Sequence, residues 1–292
     1  HERLVRTMLQ YDLVGFQTQE WLDSFLHYCT KELGAEVDEA TGSVTLDGRT
    51  VTAKAYPIGI DWDHFHAQGD SGESRQAEQR LLSSTRHRIA MIGVDRLDYS
   101  KGLPERIDGI GRFFDQHPER VRDLVYIQVA PPSREDVESY QQIRATLDSL
   151  AGRINGEYSD VDWTPIRYVN QGYPRDKLAG IYRAARIGLV TPLRDGMNLV
   201  AKEYVAAQDP EDPGVLVLSR FAGAAIQLRD ALLINPYSSE EMSDAINRAL
   251  AMPLDERKRR WRAMMNSVEQ QDISWWRQTF TDRLTAAERP EE

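Results

Sequence analysis

The fold of this chain is decided by residues 89–107, which read IAMIGVDRLDYSKGLPERI. Residues 89–94 form an uninterrupted apolar run, which is typical of a strand that is covered on both faces. A polar loop follows, and Pro104 shortly after Gly102 marks the first turn of a helix. This stretch therefore predicts a buried strand, a loop and a helix in that order.

Five more apolar runs repeat this pattern along the chain. Most of them are separated by enough residues for a crossover helix, and this spacing predicts an α/β fold with a doubly wound, Rossmann-like parallel sheet. Ligands bind at the carboxyl ends of the strands in such folds, so the loops after the runs are the candidate sites. With residues 89–94, the predicted strands are 124–130, 166–169, 187–191, 215–218 and 232–234.

Residues 1–60 predict a smaller and separate piece of structure. Turns are expected at Thr41-Gly42 and at Asp47-Gly48, which are residue pairs typical of hairpins. The other expected elements are a helix, a strand and a second helix, at 3–9, 12–17 and 20–33.

Helix signals also mark the rest of the chain. Ser133 and Ser238 each precede a pair of acidic residues, as at the start of a helix, and Asp272 precedes an aromatic terminal helix. Residues 71–79 are polar without apolar periodicity, so they predict a loop that leads into a helix. After Pro253 the chain is predicted to be helical and highly charged.

Composition excludes several classes of protein. A net charge of −10 argues against general nucleic-acid binding, although a few cations in a cleft are enough to bind a phosphorylated ligand. No run approaches the ~18 apolar residues that a membrane span needs, and the first residues lack the apolar core of a signal peptide. Cys29 is the only cysteine. We therefore expect neither a disulfide nor a cysteine zinc site, and a cytoplasmic location.

The first candidate site is the loop after the 89–94 run. Arg96 and Lys101 lie there at the predicted mouth of the sheet, beside a helix amino terminus, where cations and free backbone N–H groups favour a phosphate. The alternative is a solvated turn in which Arg96 pairs with Asp95 or Asp98.

The second candidate site is residues 191–203, which read TPLRDGMNLVAKE. Gly196 permits a ligand to approach the backbone closely. If a helix spanned the interval, the carboxylates of Asp195 and Glu203 would lie about 12 Å apart near one face. That distance suits two acceptors that hold hydroxyl groups at opposite ends of an extended ligand. The alternative is an N-cap at Asp195 and an exposed helical acid at Glu203.

Four stretches together resemble the trehalose-6-phosphate synthase family: DLVGFQT at 12–18, RLDYSK at 96–101, VAPPSR at 129–134 and DGMNLVAKEYVAAQ at 195–208. These long matches are more specific than a short motif. The resemblance implies a retaining glycosyltransferase of the two-domain B fold. Its members move glucose from UDP-glucose to glucose 6-phosphate without a metal or other cofactor.

The resemblance also implies roles for individual residues. Arg96 and Lys101 would hold the donor diphosphate, and Glu203 the ribose hydroxyls. Asp195 would hold the transferred glucose together with the backbone of Gly196, Met197 and Asn198. Arg134 would reach the phosphate of glucose 6-phosphate. The remaining nucleotide-sugar contacts would come from Val129 and Tyr173 beside the uracil and from Leu178, Leu199, Val200, Ala201 and Lys202.

A whole family member has an amino-terminal domain with a glycine-rich loop and most of the acceptor pocket. We therefore expect residues 1–60 to be the end of that domain, 61–270 to be the nucleotide-sugar domain and 271–292 to be a helix that returns to the first domain. The sequence would then correspond to only a part of such an enzyme. A complete member is expected to be a homo-oligomer.

Some other patterns have less specific meanings. Asp61-Trp62-Asp63 and Asp160-Val161-Asp162 match an acid-x-acid metal pattern that is common by chance, and His64-x-His66, in an expected loop, lacks a third ligand. Trp275 and Trp276 are expected to pack rather than to stack on a sugar. The basic run 257–260 is expected to be a solvated face.

Two classes of function follow from the sequence. One is the glycosyltransferase, including a related synthase with glycerol 3-phosphate or a pseudo-sugar as acceptor. The other is a nucleotide-sugar-binding module that does not catalyse. The sequence does not decide whether the nucleotide of the donor is UDP, ADP or GDP. We expect the 292-residue chain by itself to bind nucleotide and to transfer glucose poorly or not at all.

Overall fold

The computed structural model describes residues 1–86, 88–131 and 138–286. By their internal contacts these residues form two units, one of residues 1–60 with 270–286 and one of residues 61–269. None of the helices in the described ranges combines the length and the apolar composition that a membrane crossing needs. The predicted helix start at Ser133 lies outside the described residues.

Residues 1–60 contain two helices and a four-stranded sheet of order β1-β4-β3-β2. Strands β1 and β4 are parallel, and the other two neighbouring pairs are antiparallel. The elements are α1 (Glu2–Met8), β1 (Leu13–Phe16), α2 (Gln19–Leu33), β2 (Glu36–Asp38), β3 (Ser43–Leu46) and β4 (Arg49–Ala55).

The described part of residues 61–269 contains eight α-helices and six strands, and one further helix follows it. In chain order these elements are α3 (Trp62–Gly69), α4 (Gly72–Ser84), β5 (Ile89–Val94), α5 (Leu103–Gln116), β6 (Leu124–Val129), α6 (Glu138–Tyr158), β7 (Ile166–Val169), α7 (Arg175–Ala184), β8 (Ile187–Val190), α8 (Leu199–Ala207), β9 (Val215–Ser219), β10 (Leu232–Ile234), α9 (Ser239–Ala251), α10 (Leu254–Gln270) and α11 (Ile273–Ala286).

The six-stranded sheet of the larger unit has the order β10-β9-β8-β5-β6-β7. Every neighbouring pair is parallel. The strands agree with the predicted ones to within one residue at each end, because a continuous apolar run marks a strand buried on both faces. The predicted doubly wound parallel sheet is therefore confirmed.

The core of the larger unit lies on both sides of this sheet. All residues of β6 are buried, and so is the apolar stripe of α5, in which Leu103, Ile107, Ile110 and Phe113 are fully covered. Their spacing of three and four residues keeps them on one face of the helix. The amino end of α5 is thereby fixed at the carboxyl end of β5.

Three local predictions were wrong. Residues 71–79 are not a loop, because Ser71 caps α4 by accepting a hydrogen bond from Ser74 N (3.1 Å) and Ser74 is buried against α7, where a Cβ on Gly180 would overlap its carbonyl oxygen. His64-x-His66 lies on α3 rather than in a loop. Arg257 of the basic run is 6% exposed, and its guanidinium donates to Asp212 Oδ1 (2.6 Å).

The smaller unit has its own core. Phe25 and Leu26 of α2 pack in a buried cluster with Val44 of β3 and Val51 of β4. Thr18 caps α2, and the predicted turn at Asp47-Gly48 joins β3 to β4, with both residues at positive φ.

Helix α11 belongs to this smaller unit. Asp272 caps it by accepting a hydrogen bond from Trp275 N (2.6 Å), as the sequence predicts. Trp276 donates its ring N–H to the Tyr56 carbonyl oxygen (3.1 Å) and stacks on Phe280, with ring centroids 5.7 Å apart. The expectation that Trp276 packs is therefore confirmed.

Gly93 in β5 provides a test of how closely the sheet is packed. A Cβ at Gly93 would lie 2.5 Å from both Arg106 Nη1 and the Tyr126 hydroxyl. Overpacking of this kind costs about 1–3 kcal/mol, so Gly93→Ala should lower the free energy of unfolding by that amount in urea titrations. Gly152→Ala is the matched control, because nothing lies near its Cβ in helix α6, and it should stabilise by about 0.5–1 kcal/mol. Equal stability of the two variants would contradict the packing described here.

Candidate functional site

The strand order creates a crevice between β5 and β8. These strands are neighbours, but β6 lies beside β5 on one side and β9 lies beside β8 on the other. The chain therefore leaves them in opposite directions, and ligands bind at such a switch point in open α/β sheets. The loops that border it are residues 95–102 and 191–198, which are the two stretches that the sequence analysis singles out.

The loop after β5 is folded into a tight turn. Asp98 starts a 3-10 helix, Tyr99–Lys101, by accepting hydrogen bonds from the backbone N–H and the hydroxyl of Ser100 (2.9 and 2.8 Å). Gly102 follows at φ +64°, and a Cβ there would lie 2.6 Å from the Thr191 carbonyl oxygen. Only glycine meets both conditions without strain. The turn thus packs the Gly102 backbone closely against Thr191, just after the end of β8.

The two loops meet through an ion pair. Lys101 Nζ lies 2.6 Å from Asp195 Oδ2, and the two side chains are 17% and 18% exposed. Asn198 Nδ2 donates to the same carboxylate oxygen (3.1 Å). Arg96 is exposed on the same loop as Lys101. The structure therefore brings Lys101 and Asp195 together at the switch point.

Helix α8 begins at Leu199, whereas the predicted separation of about 12 Å assumes a helix that already includes Asp195. Asn198, at φ +76°, is its N-cap and accepts a hydrogen bond from Ala201 N (3.2 Å). The alternative of an N-cap at Asp195 is therefore wrong. The 12 Å separation from Glu203 does not apply either, because Asp195 lies in the loop before the helix.

A segment that the sequence analysis missed holds the Asp195 loop in place. Asp195 N donates to the Phe221 carbonyl oxygen (3.2 Å), and Gly223 N donates back to the Asp195 carbonyl oxygen (3.1 Å). Ala224 N donates to the Met197 carbonyl oxygen (2.7 Å). These bonds are all between backbone atoms, so side-chain identity gives no signal for them.

A buried charge pair lies beneath the two loops. Asp95 Oδ2 is 2.8 Å from Arg106 Nη1, and both side chains are at most 1% exposed. The two side chains therefore form an ion pair in the interior of the protein. Burial raises the pKa of the Asp95 carboxyl, and the charge of Arg106 opposes that shift. The alternative pairing of Arg96 with Asp95 is therefore wrong.

Arg106 was also missed by the sequence analysis. A signal for it exists, because position 106 falls on the buried face of α5 together with Leu103, Ile107 and Ile110. A charged residue on an apolar stripe indicates a buried partner.

Lys202 and Glu203 lie on the first turns of α8. Lys202 is 1% exposed, and burial lowers the pKa of its amine to about 8. Glu203 is partly buried, which raises the pKa of its carboxyl, and the nearby Arg175 opposes that shift. The alternative of Glu203 as an exposed helical acid is therefore wrong. A carboxylate kept from water is suited to accept hydrogen bonds from a ligand.

The other predicted contact residues differ in exposure. Val129, at the end of β6, is 2% exposed, and Ala201 is fully buried. Gly196 is exposed, Met197 is buried, and Tyr173, Leu178, Leu199 and Val200 are partly exposed. Arg134 lies outside the described residues. The ligand contacts of all these residues stay predictions.

The acid-x-acid and His-x-His patterns have partners within the protein. Arg122 bridges Asp160 and Asp162, at 2.5 and 2.9 Å. Asp61 caps α3, and His66 Nδ1 lies 3.0 Å from the Ala206 carbonyl oxygen. In the described ranges no group of three or more His, Cys, Asp or Glu residues is placed to hold a metal ion.

Glu203→Gln tests whether the burial of the ionised Glu203 carboxylate lowers the thermal stability of the fold. Because burial raises the folded-state pKa of Glu203, its ionised form destabilises the fold at neutral pH. The glutamine variant should therefore have a higher Tm at pH 7. The difference should disappear below about pH 4, where the carboxyl is protonated in both states. The exposed Glu157→Gln should not change Tm, and a lower Tm for Glu203→Gln at pH 7 would contradict this account.

The chain is similar to known proteins along its described length. The family model described as glycosyltransferase family 20 matches residues 1–286. A trehalose-6-phosphate synthase of Sinorhizobium fredii is 45% identical over 287 residues, which are 98% of this chain and 62% of that protein. This chain thus spans about 60% of the length of the curated relatives it matches.

Solved structures of trehalose-phosphate synthases are also similar to this chain. A synthase from Burkholderia xenovorans in complex with glucose-6-phosphate has a TM-score of 0.95 at 44% identity, over 98% of this chain and 63% of that one. The E. coli enzyme bound with UDP-2-fluoro glucose has a TM-score of 0.94 at 42% identity, with the same two coverages. The fold, the paired loops at the switch point and these matches lead to one conclusion: the chain belongs to glycosyltransferase family 20.

Proposed function

We propose that this chain forms the nucleotide-sugar site of a retaining glucosyltransferase, which moves glucose from UDP-glucose to glucose 6-phosphate and forms trehalose 6-phosphate. One observation carries the proposal: Lys101 and Asp195 meet at the switch point of a family 20 sheet. A cation and a carboxylate side by side match the two parts of a sugar nucleotide, its diphosphate and its hydroxyl-bearing sugar.

Each part of the donor has a proposed partner in this site. Lys101 and the exposed Arg96 bind the diphosphate, and Asp195 accepts hydrogen bonds from hydroxyls of the glucose. Glu203 accepts those of the ribose, for which its partly buried carboxylate is suited. The uracil lies between the ends of β6 and α7, near Val129 and Tyr173.

The proposed reaction is a displacement on one face of the sugar. The bond between the anomeric carbon and the diphosphate oxygen breaks, and the acceptor hydroxyl oxygen bonds to the same carbon from the same side. The bonding electrons leave with UDP, whose phosphate takes the proton of the acceptor hydroxyl. Negative charge develops on the diphosphate, where Lys101 and Arg96 stabilise it.

We include in this proposal that no metal or other cofactor takes part. The support is the pair of cations, because fixed positive charges provide the charge stabilisation that Mg²⁺ provides elsewhere. Binding of UDP should then be unchanged by EDTA.

The acceptor side of the proposal rests on the relatives more than on this site. One relative's structure is in complex with glucose-6-phosphate. The family resemblance implies that Arg134 of this chain reaches that phosphate, and we include this role in the proposal. An acceptor must be aligned with the anomeric carbon, and alignment alone accounts for about 7 kcal/mol or more of barrier lowering. We propose that the complete enzyme is a cytoplasmic homo-oligomer. Parts of that enzyme other than this chain provide the alignment of the acceptor.

Titration calorimetry with UDP tests the donor site. Lys101→Ala should weaken UDP binding by at least about tenfold, because a charge-assisted contact contributes ~1.5–3 kcal/mol. Lys258→Ala is the matched control, since Lys258, on α10, forms an ion pair of the same 2.6 Å length with Glu211. Its affinity for UDP should equal that of the parent. Failure of the parent chain to bind UDP, or equal binding by Lys101→Ala, would refute the proposal.

An assay with UDP-glucose and glucose 6-phosphate separates the two classes of function. Binding of UDP without formation of trehalose 6-phosphate would make this chain a binding module. Transfer to another phosphorylated acceptor, but not to glucose 6-phosphate, would make it part of a related synthase.

Asp195→Asn should change nucleotide binding in the opposite direction from Lys101→Ala. The carboxylate neutralises Lys101 and repels a diphosphate, so its removal should tighten UDP binding about two- to fivefold, equivalent to the ~0.5–1 kcal/mol of a partly exposed pair. The additional affinity that glucose gives to UDP-glucose should fall. Asp212→Asn, which removes the partner of Arg257, is the control and should leave both affinities unchanged. Weaker UDP binding by Asp195→Asn would contradict the proposed arrangement.

A further inference from the structure

The guanidinium of Arg106 contacts both loops of the site from below. Its Nε donates to Thr191 Oγ1 (2.8 Å), at the end of β8, and its Nη2 donates to the Lys101 carbonyl oxygen (3.4 Å). Its Nη1 donates to Gln128 Oε1 of β6 (3.0 Å) and lies against Asp95. One fully buried side chain therefore joins the ends of three adjacent strands to the turn that carries Lys101.

These contacts fix the direction in which Lys101 leaves the backbone. The Lys101 carbonyl is held by Arg106, while the carbonyl of Ser100 accepts a hydrogen bond from Leu193 N (2.8 Å) in the other loop. Thr191, the second fixed point, is the first residue of the loop that carries Asp195. With both loops held at these points, the backbone of Lys101 keeps a fixed position relative to the Asp195 loop, and its Nζ lies 2.6 Å from Asp195 Oδ2.

We propose that Arg106 is a positioning residue for the donor diphosphate: it makes no contact with the ligand, but it holds the turn from which Lys101 reaches the phosphates. This proposal rests on the proposed function of the site. Free energy of binding depends on such preorganisation, because an ordered cation need not lose its freedom when the ligand arrives.

Arginine is required here for its shape as well as its charge. A guanidinium presents several N–H donors in a fixed plane, whereas a lysine amine is a compact point charge. Lysine at position 106 would keep a positive charge opposite Asp95. It could not donate to Thr191, Gln128 and the Lys101 carbonyl together. Arg106→Lys therefore separates the positioning contacts from the buried charge.

The test compares Arg106→Lys with Arg257→Lys in the 292-residue chain. Arg257 is the matched control, because it is also buried and donates to a carboxylate and to the Pro213 carbonyl oxygen, away from both site loops. Thermal unfolding is measured for each variant, and UDP and uridine are titrated separately at a temperature where both variants are folded.

We expect Arg106→Lys to weaken UDP binding tenfold or more and to change uridine binding less than twofold, because the effect acts through the diphosphate. Arg257→Lys should lower Tm and leave both ligands bound as in the parent. A loss of uridine and UDP binding to the same extent would indicate a merely structural role and would overturn the proposal.

Thr191→Val is a second variant, needed if Arg106→Lys does not fold. It keeps the side-chain shape and removes the acceptor of Arg106 Nε, so it should weaken UDP binding about threefold without an effect on uridine. If the parent binds UDP and Lys101→Ala weakens it, while Thr191→Val and any folded Arg106→Lys bind UDP normally, the positioning role is wrong and the proposed function stands. If the parent does not bind UDP, the proposed function fails first.

Discussion

The carboxyl edge of the larger sheet depends on the buried pair of Arg106 and Asp95. Two charges taken out of water are costly unless each is matched, and removal of one partner from such a pair costs about 3–5 kcal/mol. Here the guanidinium also donates to two further acceptors, Thr191 just after β8 and Gln128 of β6. The same contacts that satisfy the guanidinium therefore keep the ends of β5, β6 and β8 in one arrangement.

The site inherits its geometry from this arrangement. Lys101 and Asp195 are far apart in sequence but belong to loops that leave neighbouring strands, and backbone hydrogen bonds fix both loops. The Lys101–Asp195 pair is thus part of the packing of the two loops against each other. A diphosphate would have to share Lys101 with a carboxylate, which lowers affinity for nucleotide alone and favours a ligand whose sugar occupies that carboxylate.

Much of the fold could be predicted from the sequence, because continuous apolar runs identify buried parallel strands one by one. The position of the candidate site followed from the same reasoning, since parallel strands present their carboxyl ends at one edge. The first turns of helix α4 were not predicted, because their surface is polar and the packing of Ser74 against Gly180 of α7 leaves no apolar periodicity in the sequence. Pattern alone does not reveal such packing.

The sequence analysis also missed the supports of the site. The only signal for Arg106 is its position on the apolar stripe of α5, and the hydrogen bonds of residues 221–224 with the Asp195 loop join backbone atoms, which leave no signal in the sequence. The N-cap of α8 is Asn198, which accepts a hydrogen bond from Ala201 N, and not Asp195. Asp and Asn are both preferred N-cap residues, so the residue types alone do not choose between the two positions. The candidate ligand residues could thus be predicted, whereas most of the contacts that position them were missed.

The crystal structure of this chain with UDP is the most direct test of the account. It should place a phosphate oxygen about 3 Å from Lys101 Nζ at the switch point, with Lys101 drawn away from Asp195 and the contacts of Arg106 unchanged. UDP bound at another edge of the sheet, or at the switch point with no phosphate near Lys101, would contradict the central claim.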